Sequence, residues 1–116
     1  MPAAFPGAST PRRRPVNGLF VLCLGVLHKF RPDDYRGQVT KLANLTRETL
    51  VLEVLADSRA TQPIVHNDGG LWPWRTILPP QTLIGWLAGE NFQVTEHWQS
   101  TRHPERYFFI AERTKA

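Results

Sequence analysis

Unbroken apolar runs alternate along this chain with stretches of helical spacing. Leu19-Phe20-Val21-Leu22-Cys23-Leu24 is apolar at every position. A run of that length without polar alternation predicts a strand buried on both faces, as in a parallel sheet covered by helices. Gly25 follows at once and permits a sharp backbone turn. Arg31-Pro32-Asp33-Asp34 then reads as a helix start: proline's fixed φ suits the first turn, and carboxylates favour the positive end of the helix. Tyr35, Val39, Leu42, Ala43 and Leu45 continue near helical spacing until Thr46-Arg47-Glu48 breaks it. Thr49 to Leu55 is a second mostly apolar strand, which completes a right-handed strand–helix–strand crossover.

Residues 56–80 read as one long connection, with Gly69, Gly70 and the prolines Pro63, Pro73, Pro79 and Pro80. A connection this long inside a compact domain is uncommon and often functional. Pro80 opens a second helix whose apolar face is Leu83, Ile84, Trp86, Leu87 and Ala88, ending near Gly89-Glu90-Asn91. Phe92 to Trp98 alternates like a strand with one wet face, residues 99–105 form a polar turn, and Arg106 to Glu112 is a bulky closing strand. The predicted order is β-α-β-loop-α-β-β, with at least one antiparallel strand beside the parallel unit.

The length of 116 residues allows one small domain, with 41% hydrophobic and 21% charged residues. A chain of this size buries about 60–70% of its unfolded surface, enough for one core. Residues 1–17, rich in Pro, Ala and Arg, read as an irregular tail ahead of a domain at 18–113. The net charge is +4. Arg12-Arg13-Arg14 concentrates part of it, either as a solvated tail or as an attraction for nucleic acid; with only Phe5 nearby for stacking, the nucleic-acid reading has little support there. The single cysteine, Cys23, lies within the first apolar run. It suits a small core residue in a reducing cytoplasm and excludes a cysteine zinc cluster. No apolar run reaches the roughly 20 residues of a membrane helix. No secretory h-region is present, and Pro2, Pro6, Pro11 and Pro15 disfavour the amphipathic helix of a transit peptide.

Several segments resemble class I S-adenosylmethionine-dependent methyltransferases. Leu22-Cys23-Leu24-Gly25-Val26-Leu27-His28 is similar to the end of that family's fourth strand. Leu42 to Arg47 with Leu50-Val51-Leu52-Glu53 is similar to the next helix and fifth strand. Trp72-Pro73-Trp74, Leu78-Pro79, Leu83, Trp86-Leu87 and Asn91-Phe92 resemble the loop and helix leading to the sixth strand, and Tyr107 to Glu112 the seventh. The Gly-Val-Leu turn and Trp-containing loop are closest to the branch that modifies the tRNA wobble uridine. The resemblance implies an α/β fold, a partial Rossmann-like methyltransferase sheet, mostly parallel with an antiparallel C-terminal hairpin. It also implies S-adenosylmethionine as cofactor and an acceptor not yet identified, RNA being one candidate. The family's glycine-rich loop and the acidic residue that binds the cofactor ribose have no counterpart here: no G-x-G-x-x-G occurs, and Asn17-Gly18 stands where an acid usually precedes the strand. The expectation is a C-terminal half domain, inactive by itself.

Ligands of open α/β sheets bind outside the carboxyl ends of the strands, which puts Leu24, Gly25 and His28 at the expected rim. Leu24 and Gly25 are candidates for the cofactor-proximal backbone, Gly25 being otherwise a plain turn glycine. His28 is the candidate catalytic or acceptor-binding group, the alternative being an exposed loop histidine. Trp72, Trp74 and Arg75 are candidates to stack on a flat acceptor, unless the tryptophans pack the loop onto the sheet. Glu53 either points into the pocket or is satisfied by a neighbour. His66, Asn67 and Asp68 are too close together for good metal geometry, so no metal is expected; His97 and His103 read as surface residues. A sheet that ends at Leu19–Leu24 leaves an apolar face and an unpaired edge, so self-association through that edge is expected.

Overall fold

A computed structural model describes residues 18–114. The Arg12–Arg14 cluster, Phe5 and the rest of the predicted tail lie outside the described residues. The elements are β1 (Gly18–Leu24), a short 3-10 turn (Leu27–Lys29), α1 (Pro32–Leu45), β2 (Thr46–Leu55), β3 (Ile64–Asn67), β4 (Trp74–Ile77), α2 (Pro80–Gly89), β5 (Phe92–Gln99) and β6 (Arg106–Arg113). The main sheet has the order β1-β2-β6-β5, and β3 and β4 form a separate hairpin. β1 and β2 pair in parallel across the α1 crossover. β2–β6 and β5–β6 are antiparallel.

The core lies on one face of this sheet. Tyr35, Val39 and Ala43 of α1 recur every fourth residue. With Leu83 and Leu87 of α2 they cover Leu50, Leu52 and Val54 of β2, Phe109 and Ala111 of β6, and Phe92 of β5. The opposite face holds Leu22, Val51 and Ile110 in one cross-strand row and Leu24, Glu53, Phe108 and Trp98 in the next. Here the reading of β1 as buried on both faces is corrected. β1 is an edge strand whose Val21 and Cys23 turn toward the core, while Phe20, Leu22 (58% exposed) and Leu24 face outward. Unbroken apolarity identified a strand with two apolar surroundings, but the described residues supply only one of them.

α1 passes into β2 without a loop. The Thr46 hydroxyl donates to the Leu42 carbonyl at 2.7 Å. Arg113, at the far end of β6, donates through Nη2 to Ala43 O (2.7 Å) and Thr46 O (2.6 Å). These bonds satisfy carbonyls that the end of a helix leaves open. At the end of α2 the left-handed position falls to Asn91 (φ 65°) rather than to Gly89; asparagine is the residue that tolerates it best after glycine.

The long connection is also corrected. It contains the β3–β4 hairpin, turned by Gly69 and Gly70, both with positive φ. β4 is docked on the end of β2: Leu78 N–H donates to Leu55 O at 3.1 Å, and Asp57 N–H to Leu78 O at 3.0 Å. The hairpin therefore rises over the carboxyl ends of β1 and β2.

Candidate functional site

An open cleft of about 590 Å³ lies at this end of the sheet. One wall runs from Gly25 to Asp34, the segment between β1 and the first turn of α1. The other is the hairpin tip, Leu71 to Trp74. The walls come from distant parts of the chain and are joined at two points. Thr76 Oγ1 donates to the Phe30 carbonyl at 2.5 Å, and the Arg31 guanidinium lies 4.9 Å from the centre of the Trp74 ring. A cation over an indole face is attractive, more so as water is excluded.

Gly25 opens the first wall. Its φ of +70° is a conformation that L side chains rarely adopt, and a Cβ there would come 3.3 Å from Glu53 Oε1. Its N–H donates to the Glu53 carbonyl at 3.3 Å, so the turn begins as soon as the parallel ladder ends. Glu53 itself sits on the sheet face away from the helices, 3.5 Å from Arg106 Nη1. It is a partly buried carboxylate facing a cation at the margin of the sheet.

Of the residues singled out in the sequence, Gly25, Trp72 and Trp74 line the cleft together. Leu24 is half exposed on the open sheet face. Arg75 is held in the hairpin, its Nε donating to Asp68 Oδ2 at 2.9 Å, and that pairing holds the Asp68 carboxyl below its ordinary range. His28 is buried in the 3-10 turn behind the wall, and its Nδ1 has no hydrogen-bond partner among the described residues. Burial lowers its pKa, and the Lys29, Arg106 and Arg75 cations add to this while Glu53 opposes it. The imidazole is therefore neutral near pH 7.

Lys29, Phe30, Arg31, Asp34 and Leu71 also line the cleft. None stood out as a site residue in the sequence. Arg31 to Asp34 carried a helix-start signal that accounted for them fully, and a lone Phe30 gives no sign of the hairpin folded over it. No group of three or more metal-ligating side chains occurs among the described residues. No helix among them is long and apolar enough to cross a membrane.

This geometry, a parallel crossover with a glycine turn and cleft at its carboxyl end and an antiparallel closing hairpin, is that of a partial Rossmann-like sheet of the class I S-adenosylmethionine-dependent methyltransferase fold. Solved structures agree. A magnesium protoporphyrin IX methyltransferase from Synechocystis PCC 6803 with bound S-adenosylhomocysteine matches 96% of this chain and 52% of its own, with a TM-score of 0.66 and 15% identity. A Burkholderia thailandensis 1,6-didemethyltoxoflavin-N1-methyltransferase, bound to its heterocycle and S-adenosylhomocysteine, matches 83% of this chain and 44% of its own, with a TM-score of 0.65 and 17% identity. A Methanosarcina mazei methyltransferase matches at a TM-score of 0.62 and 10% identity, over 98% of this chain and 69% of its own. The chain spans about half the length of the first two structures. No family model matches the sequence, and no curated protein does.

Proposed function

We propose that this chain is the acceptor-side half of an S-adenosylmethionine-dependent methyltransferase domain, with the acceptor held in the Gly25–Trp74 cleft. One observation carries the reading: the cleft stands at the carboxyl end of the parallel β1–α1–β2 crossover, where α/β sheets hold their ligands. The relatives in fold, crystallised with S-adenosylhomocysteine, support it.

The residues present do not make a cofactor site by themselves. The sequence holds no G-x-G-x-x-G loop, and among the described residues Gly25 is a backbone turn at the strand end that lines the cleft. The cofactor, when bound, supplies a methyl group on a sulfonium that is already a good leaving group. The part of this chain is then alignment and exclusion of water by the cleft walls, which needs no dedicated base. The buried His28 is neutral and able to accept a proton, but it stands behind the wall. The resemblance to the tRNA-modifying branch makes RNA one candidate acceptor.

The test joins sequence with titration. The coding frame upstream of Met1 is expected to encode an apolar strand running into a glycine-rich turn. A polypeptide that includes it is expected to bind S-adenosylmethionine in calorimetry, whereas the 116-residue chain alone gives no measurable heat. Absence of such a segment together with no binding would sink the reading. It would favour a second one, a non-catalytic module that pairs with a partner chain, which the open apolar sheet face also supports.

A further inference from the structure

We infer that the cleft is a stacking site for a planar heteroaromatic ring. The inference rests on the proposed methyltransferase function only in making that ring the acceptor; the site itself is built wholly from residues described above. Its volume of about 590 Å³ falls among pockets for small organic ligands. Its aromatic surface comes from Phe30, Trp72 and Trp74, with Lys29, Arg31 and Asp34 at the margins.

Trp72 is 70% exposed and Leu71 87% exposed at the hairpin tip. Large apolar side chains held out in this way mark interaction sites when they gather around a concavity. The hairpin that carries them is fastened along its length. Asp68 N–H donates to Pro73 O at 2.7 Å, Arg75 pairs with Asp68 at 2.9 Å, and Thr76 is bonded to Phe30. The indole of Trp72 is thus offered on a fixed support with little protein covering it. Trp74 is already oriented by Arg31 on one face.

Two indoles and a phenyl ring offer area and π-surface, whereas the charged groups of the lining are few and mixed in sign, the cations Lys29 and Arg31 with the carboxylate Asp34. Such a wall selects for flatness over charge: any fused or single heterocycle gains from stacking, and Lys29, Arg31 and Asp34 can bond its polar edge. A nucleobase splayed from an RNA strand and a free small-molecule heterocycle share this chemistry.

The experiment titrates the full chain with lumichrome, an uncharged fused-ring heterocycle, and separately with a short oligouridine, following fluorescence with no S-adenosylmethionine present. Saturable binding of at least one is expected. Trp72→Ala should weaken it about tenfold or more, the range seen when a stacking aromatic is removed. Trp98→Ala, on the sheet face away from the helices and outside the cleft lining, should leave it unchanged. Oligouridine alone binding assigns a base within a strand, and lumichrome alone assigns a free heterocycle. Failure of both to saturate, or equal weakening by the two alanine variants, overturns the inference. A chain that stacks the ring but whose extended form never binds S-adenosylmethionine fails the proposed function alone. An extended chain that binds the cofactor and ignores both rings fails this inference alone.

Discussion

Two residues at the strand end set opposite demands on the backbone and the solvent. Gly25 is needed for its conformation: at φ +70°, with Glu53 Oε1 3.3 Å from any added Cβ, Gly25→Ala is expected to lower stability by about 1–2 kcal/mol, read from urea denaturation. An unchanged midpoint would show that the turn relaxes. His28 is needed neutral. Its folded-state pKa lies below the ordinary 6.5, so the unfolded chain takes up this proton first as pH falls. The contribution of the neutral imidazole is complete above about pH 6.5 and is lost as pH drops toward the folded value. Denaturation midpoints should fall as the pH is lowered through and below about 6.5, and His28→Gln should flatten that slope; parallel profiles would remove His28 as the cause. The turn at Gly25 was legible because a glycine after an apolar run has few other uses. The burial of His28 was not, because it depends on β4, which lies far along the chain and carried no strand signal.

Among the elements, the crossover and the closing hairpin could be read from apolar runs and helical spacing because each contributes to the apolar core. The β3–β4 hairpin could not. Ile64, Val65, His66 and Asn67 are all exposed and β4 is only four residues long and half-buried, so the hairpin lacks a clean alternating pattern and is held largely by backbone pairing, the Asp68–Arg75 ion pair and the Thr76–Phe30 bond. The loopless α1–β2 junction has a similar dependence on a distant residue. Arg113 serves carbonyls of both elements and lies 4.6 Å from the centre of the Phe92 ring. Arg113→Met, which keeps the apolar stem, is expected to cost about 1–2 kcal/mol in thermal or chemical denaturation. A loss within a few tenths of a kcal/mol would mean that solvent replaces the guanidinium freely.

At the scale of the molecule, the described residues place helices on one face of the main sheet only. Phe20, Leu22, Leu24 and Trp98 stand exposed on the other beside half-buried Val51, Phe108 and Ile110. The edge of β1 carries no charged residue or proline of the kind that blunts free edges. Purified chain is therefore expected to self-associate with rising concentration in light scattering. Leu22→Lys should shift it toward monomer with little loss of stability, since Leu22 is already 58% exposed. A stable monomer at high concentration would show that the free edge is not adhesive. The two staples across the cleft, Thr76 to Phe30 and Arg31 to Trp74, have a thermodynamic corollary. Because its walls meet only in the native chain, an occupant has nothing to hold in the denatured one, and mass action must raise the melting temperature. At a hundredfold excess over its dissociation constant, the added stability is about 2.7 kcal/mol. For a domain of this size that is a rise of about 10 °C or more, so a library of flat heterocycles could be ranked by melting curves without knowing the reaction.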